Sequence, residues 1–468
     1  MAPPGSPPSR RAPSLTAALL TIGAVVAVIV AGISLQRGIN ATFFPLLVAT
    51  GLVGIVGLAL GNSWTTIEDG VFRGVASVTI AIVVLLLIGA LVGLWILSGT
   101  IPSLLYYGLQ LMSPAYFLPT AFLVCSVTSL TIGSSFGTIA VAGVALIGVQ
   151  TGFAASAPIT AGAIIGGAYF GDKMSPLSDS TNVAAAIGEA DLFSHIRSMV
   201  YTTLPATLLT VALLWIAGST AETSAAGAVS ATMLDGLRLN WDASWVHLLP
   251  AGIMLALAAW QLPAVPMLFL SVVLAALWAM AFQDASLATV FSAATSGYVA
   301  ETGVDALDAV LTRGGMSAMS AVVLLVLLAA ALGGALEVVG ILDRLVKGLL
   351  DRIRSTGSLI VAVLASCYTV ILLTGNQMLA IILPGQMFLP AFRRRGIEGR
   401  VLTRTLEDAG TISAPLVPWS VAGAYATQML GVPTLDYLPY MWFAFLVPVF
   451  SVLYGFTGFA VWRTSEPT

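Results

Sequence analysis

Four landmarks of this chain occur twice, about half its length apart. Arg73-Gly74 opens one long apolar run and Arg313-Gly314 opens another. Each run leads to a hydrophobic segment with a single cysteine, Cys125 or Cys367. Soon after each cysteine a short polar break carries a glycine: Thr131-Ile132-Gly133-Ser134-Ser135 in one half, Thr374-Gly375-Asn376-Gln377 in the other. Ser175-Pro176-Leu177 and Ala414-Pro415-Leu416 complete the set. Duplicated hydrophobic halves with matched interruptions are the pattern of carriers whose site lies where broken segments meet.

Composition fixes the solvent. Hydrophobic residues make up 58% of the 468 and charged residues 8%, with a mean hydropathy of +1.00. An ordinary globular domain carries about a quarter charged residues. Apolar runs long enough to span a hydrocarbon core of about 30 Å recur throughout. Backbone groups in lipid must be paired within the segment, and no barrel-type alternation is present, so the segments are read as helices. A net charge of −3 argues against a nucleic-acid partner. Cys125 and Cys367 lie in apolar segments, which disfavours a disulfide framework. Residues 1–14, rich in Pro and Ser, read as a disordered cytoplasmic tail before an uncleaved first helix. No phosphate-binding loop motif supports coupling to ATP hydrolysis, and no nucleophile–base set suggests an enzyme. His195 and His247 are isolated, without metal-ligand spacing, and His195 beside Arg197 reads as interfacial. No cofactor is expected.

The cations orient the chain. Arg344, Lys347, Arg352 and Arg354 fall in one loop, and Arg393, Arg394, Arg395, Arg400 and Arg404 in the next. Both loops are therefore cytoplasmic. The apolar stretch 357–391 between them, interrupted at Gly375, then reads as a re-entrant hairpin. Its counterpart, 115–150, has no basic flanks and suits a hairpin entered from outside. A full crossing at either break is the other reading. Further spans fall near 15–35, 43–61, 76–98, 199–219, 246–261, 264–282, 317–340 and 438–460, with broken spans near 154–187 and 405–431. Arg37, Arg238 and Arg313 then lie outside, and both termini are cytoplasmic. The polar stretches 220–245 and 283–312 read as external loops, with room for a short helix lying on the membrane, and Trp241 and Trp245 suit an aromatic belt. The fold class expected is an all-α polytopic membrane protein with two inverted-topology repeats, re-entrant hairpins and discontinuous helices. Its divisions are N-terminal helices 15–61, a first transport repeat 62–198, connecting helices and loops 199–300, a second repeat 301–431 and a C-terminal helix in 432–468.

Three polar elements carry candidate chemistry. The segment Gly171–Asn182 supplies Asp172, Lys173, Ser178, Asp179, Thr181 and Asn182 around a helix-breaking Pro176. Ionisable groups at membrane depth are expensive and line ion or substrate paths, although composition alone also allows a polar surface loop. The second element, Leu406–Trp419, brings Glu407, Asp408, Thr411 and Ser413. Its Glu407-Asp408 pair also fits a helix start facing the basic loop. The hairpin tips add Ser134, Ser135 and Thr138, and Asn376 and Gln377. Small residues there serve either ion-facing helix ends or close helix packing.

Gly171-Asp-Lys-Met-Ser-Pro-Leu-Ser-Asp179 is the most specific of several motifs by which the chain resembles the NhaC family of Na⁺/H⁺ antiporters. Gly99-Thr-Ile-Pro102 with Tyr106-Tyr-Gly108, Arg313-Gly-Gly315, Leu383-Pro-Gly385, and Arg404-Thr-Leu-Glu-Asp-Ala-Gly410 with Pro418-Trp419 are similar too. The resemblance implies exchange of Na⁺ for H⁺ across a cell membrane. Some relatives move carboxylates or amino acids. Ser180 stands where the family carries Thr, Phe136 where Trp is common, and Asn376-Gln377 where relatives place an acidic residue beside the Gln. The mechanism expected is competition of one proton and one Na⁺ for a poorly hydrated carboxylate. Asp179 is the carboxylate chosen, with Asn182, Ser178, Thr181, Ser134 and Ser135 as oxygen ligands. Asp172 either binds the ion or pairs with Lys173 as a structural contact or gate. A Na⁺-coupled carrier of a small carboxylate, such as malate or lactate, or of an amino acid is the alternative. Partners are Na⁺, H⁺ and lipid, with room for a homodimer.

Overall fold

Apolar sequence with its backbone hydrogen bonds closed inside each segment gives a helical molecule in the computed structural model. The structure describes residues 12–36, 39–219, 223–242, 244–350 and 353–464. Arg37 and Arg352, used above to orient the chain, lie outside the described residues, as does most of the tail 1–14 with Arg10 and Arg11. Among the described residues the extended pairings are two isolated bridges, Tyr298 with Arg313 and Ile397 with Arg463. Nine helices there are long and apolar enough to cross a bilayer, and two bent pairs raise the number to eleven.

Helices α1 (Leu15–Leu35) and α2 (Phe43–Ala59) precede α3 (Trp64–Ser77). α3 runs into α4 (Thr79–Leu97) with little interruption, so the crossing expected at 76–98 is the end of a longer rod. Arg73-Gly74 therefore lies inside a helix. Arg313-Gly314 is a turn instead, with Gly314 and Gly315 at φ +86° and +84°. The two landmarks share residues but not conformation. Gly74 and Gly70 of α3 meet the second half of the chain directly. A methyl on Gly74 would overlap the carbonyl oxygen of Ala330, and one on Gly334 would overlap that of Gly70. Small residues spaced four apart let helix backbones touch.

α5 (Thr100–Leu111) leads to the first hairpin: α6 (Phe117–Ile132), the short α7 (Ser135–Thr138), a π turn at Ile139–Gly143, and α8 (Val144–Gly152). A broken pair follows, α9 (Ala157–Met174) and α10 (Asp179–Ile187). Next come α11 (Leu192–Ser219), α12 (Thr223–Asn240), α13 (Leu249–Ala259), α14 (Ala264–Phe282), α15 (Leu287–Ser296) and α16 (Asp305–Leu311). α12, at 18 residues, is longer than the short helix allowed within the external loop at 220–245, and Trp241 at its end is buried against Tyr298, with Trp245 exposed.

α17 (Ser320–Val338), which carries Ala330 and Gly334, and α18 (Ile341–Leu350) introduce the second hairpin, α19 (Thr356–Thr374) and α20 (Gln377–Arg394). Its broken element is α21 (Gly399–Leu406), a π turn at Glu407–Thr411, a tight turn at Ala414–Leu416, and α22 (Val421–Leu430). α23 (Thr434–Tyr437) and α24 (Trp442–Thr457) end the order.

The hairpin tips repeat at atomic detail. α6 ends on Gly133 at φ +73°, whose N–H donates to the Ser129 carbonyl, and Ser134 then caps the next helix by accepting from Gly137 N–H. α19 ends on Gly375 at φ +62°, donating to the Ile371 carbonyl, and Asn376 caps α20 by accepting from Leu379 N–H. A left-handed C-cap suits glycine because any Cβ there is strained, and Ser and Asn are strong N-caps. All four arms reach 18 or 19 residues as continuous helical runs or nearly so, long enough to cross.

Candidate functional site

Each hairpin tip rests on the break of its own half. A side chain on Gly133 would press into Leu177, and one on Gly375 would lie 2.9 Å from the carbonyl oxygen of Trp419. Ser175 donates to the Leu130 carbonyl at 2.8 Å, and the Trp419 indole donates to the Leu372 carbonyl at 2.7 Å. Proline explains why helices stop here: it lacks the N–H and pushes its predecessor out of helical geometry. Ser175, before Pro176, is extended at φ −80°, ψ 131°.

Both tips and the first break face one cavity of about 1140 Å³. Ser134, Asp172, Ser178, Asp179, Asn182, Asn376 and Gln377 line it, together with Gly74 and Gly334 of the α3–α17 contact. Of the second break only Ala414 reaches it, with Val421 and Ala422 of α22 beyond. Arg73 and Glu337 are exposed charges on its wall; from sequence Arg73 was marked only as a repeat landmark, and Glu337 was not singled out.

Asp172 is the buried carboxylate of this cavity, 7% exposed. Ser135 donates to its Oδ2 and Ser178 to its Oδ1, each at 2.6 Å. A first-half tip and the residues after the break thus grip one carboxylate from two sides. Such bonds to an ionised group are short and strong. Asp179, chosen from sequence as the poorly hydrated carboxylate, is instead exposed at the first turn of α10. Asn182 is exposed as well, and its amide donates to the carbonyls of Pro176 and Ser178. Thr181 is buried away from the cavity lining, and its hydroxyl donates to the carbonyls of Asp172 and Lys173, covering the open end of α9. Thr138 returns its hydroxyl to the Ser134 carbonyl.

Lys173 corrects the sequence reading. Its ammonium lies 2.8 Å from Asp408, not on Asp172, and both side chains are 0% exposed. Thr202 of α11 donates to the same Asp408 oxygen at 2.9 Å. The pair joins the two halves of the chain behind the cavity. Glu407, Thr411 and Ser413 are fully buried beside it, none lining the cavity. The surface helix-start reading of Glu407-Asp408 is therefore excluded by their burial in a π turn. Arg404, assigned to a cytoplasmic loop, is also buried, donating to the Ala460 carbonyl with its guanidinium 5.6 Å from the Trp462 ring centre. His195 is not interfacial: it is fully buried, with Nδ1 2.7 Å from the Thr403 hydroxyl.

Thr202, Thr403 and His195 were missed as partners of the site. A signal existed. His195, Ser198 and Thr202 recur at helical spacing on one face of an otherwise apolar helix. Ser198 donates to the Arg400 carbonyl, so that stripe binds α21 along its length.

A family model described as the Na⁺/H⁺ antiporter family matches residues 167–459. The Na⁺/H⁺ antiporter NhaC of Alkalihalophilus pseudofirmus is 36% identical over 444 residues, covering 95% of this chain and 96% of that one. NhaC of Bacillus subtilis is 39% identical over 417 residues, 88% of this chain and 91% of its own. The malate-2H⁺/Na⁺-lactate antiporter of Bacillus subtilis is 31% identical over 460 residues, 98% of each.

Proposed function

The chain belongs to the Na⁺/H⁺ antiporter family, and from that premise we propose that it exchanges Na⁺ for H⁺ across the cell membrane by alternating access. Asp172 is the shared carboxylate in this reading, replacing Asp179. The observation that carries it is the position of Asp172: buried, on the cavity wall, and held by hydroxyls from both a hairpin tip and the break. A carboxylate there is satisfied by a proton or by a cation, and occupation by one excludes the other. When Na⁺ binds, the Ser135 and Ser178 hydroxyls can turn their oxygen lone pairs toward it, because a hydroxyl both donates and accepts. Asp179, Asn182, Ser134, Asn376 and Gln377 form the polar wall by which the cation approaches. Lys173 and Asp408 are the charge pair behind the site rather than ligands.

The distribution of Lys and Arg supports cytoplasmic termini and opposed hairpins, hence inverted repeats, and the matched tips support a common origin of the two hairpins. Dissipation of a pH gradient in everted vesicles on adding Na⁺, abolished in Asp172→Asn, tests the reading. Full exchange in that variant at unchanged apparent Na⁺ affinity sinks it.

A second reading, exchange coupled to a small carboxylate, is favoured by one observation. The cavity is as large as those that enclose organic ligands of drug size, far more than a bare cation fills. The 31% identity to a malate/lactate antiporter is in keeping with it. Na⁺-dependent uptake of labelled malate or lactate into proteoliposomes separates the two.

A further inference from the structure

Glu407 lies outside the cavity and is fully buried, with neither carboxylate oxygen hydrogen-bonded among the described residues. Its polar neighbours are the Thr411 and Ser180 hydroxyls and the ammonium of Lys173. That ammonium is already on Asp408 at 2.8 Å. The Thr411 and Ser413 hydroxyls, buried in the same turn, form no hydrogen bond of their own either. The π turn Glu407–Thr411 lies in a stretch buried on all sides, so both consecutive carboxylates face protein.

The titratable groups around the turn are few. α9 brings Lys173 and Asp172, α19 brings Cys367 and Tyr368, and α21 brings Arg404. α10 offers the Ser180 hydroxyl, and Tyr454 of α24 faces Arg404. The basic last turn of α20 holds Arg393, which pairs with exposed Glu189. None of these gives Glu407 a hydrogen-bonded counter-ion. A carboxylate buried beside hydroxyls alone, with the nearest ammonium already bonded to another acid, is costly to keep ionised, and a bound proton relieves that cost.

We propose that Glu407 is a second proton-binding site of this carrier, holding a proton behind Asp172. The proton adds to a carboxylate oxygen, and the resulting O–H can donate to a neighbouring hydroxyl. Lys173 is next in sequence to Asp172 and bonded to Asp408, so it links the two carboxyl sites electrostatically. That the second site serves exchange rests on the function proposed above; that it holds a proton does not.

Infrared spectroscopy of the purified full-length protein at neutral pH, wild type against Glu407→Gln, tests the proton directly. The expected result is a protonated-carboxyl carbonyl band that is lost in the variant. An unchanged spectrum in that region overturns the proposal. Because Gln has the shape of a neutral acid, E407Q is expected to unfold at the wild-type temperature in detergent. A clear fall in that temperature means an ionised, paired Glu407 and overturns it as well. In vesicles, the pH dependence of Na⁺-driven exchange should be shallower in E407Q, and an unaltered profile removes this site from the coupling. A wild-type protein that shows the band yet exchanges no Na⁺ refutes the transport reading alone.

Discussion

At the first break, residues 175–178 separate α9 from α10 beside a cavity that Asp172, Ser178 and Asp179 all reach. At the second, residues 412–420 separate the π turn from α22, and the polar groups point inward. There the Tyr437 hydroxyl donates to the Pro415 carbonyl at 2.7 Å, the Ser420 hydroxyl to the Val417 carbonyl at 2.8 Å, and Asp408 is closed against Lys173. The same sequence device, a proline-broken helix under a glycine-tipped hairpin, is thus used once wet and once dry. A carboxylate next to water can change partners cheaply, whereas a dry one must keep its partner. On the function proposed above, Na⁺ would bind at the first break, with the second supplying the buried charges behind it.

That contrast can be broken most sharply at the dry pair. Asp408→Asn leaves Lys173 buried without its counter-ion and should lower stability by about 3–5 kcal/mol, read as thermal unfolding in detergent. The double variant Lys173→Met/Asp408→Leu should recover most of it. A single variant as stable as the wild type would mean that water reaches the pair. At the wet break, Asp172→Asn should abolish Na⁺-dependent pH-gradient dissipation while lowering the unfolding temperature by less than Asp408→Asn does, since the amide oxygen still accepts a hydroxyl bond and only the charged part, about 1–2 kcal/mol, is lost. If D172N instead unfolds before D408N, the division of labour between the breaks is reversed.

Gly133→Ala forces a Cβ into left-handed backbone and against Leu177, at about 1–2 kcal/mol. Because the tip holds Ser135 on Asp172, apparent Na⁺ affinity should fall with it. The gentlest probe is Tyr425→Phe. Its hydroxyl donates to the Phe136 carbonyl at 2.8 Å, joining the first tip to the second half. Its loss should lower the unfolding temperature by an amount corresponding to about 0.5–1.5 kcal/mol with exchange retained. A larger drop would show that the two halves lean on this contact more than on the ion pair.

The elements that the sequence made legible are those with local causes. Gly133, Gly375, Pro176 and Pro415 interrupt apolar helices by backbone chemistry, and each interruption falls where periodicity placed it. Polar residues in a hydrophobic run likewise marked Asp172 as part of a site. Pairings across the chain had no such signal. Lys173 looked like the neighbour of Asp172, and nothing near Asp408 announces a lysine from the other half. Burial inverted two readings for the same reason. Asp179 follows its proline closely enough to seem deep but faces the cavity, and Arg404 sits among surface arginines yet is enclosed by residues 460 and 462. The helix at 223–240 was hidden by its small and polar residues, whose pattern matches a loop as well as a helix packed on other protein.

The touching of α3 and α17 has a consequence for how the molecule tolerates change. Gly70 and Gly74 meet Gly334 and Ala330 with main chain against main chain, and Gly74 and Gly334 also form part of the cavity wall. With main chain against main chain at Gly74 and Gly334 and the Val338 side chain on Gly70, this seam has no room for an added group. An added methyl acts there as a shim that pries apart the cavity wall, so a substitution harmless on almost any lipid-facing helix reshapes the cavity itself.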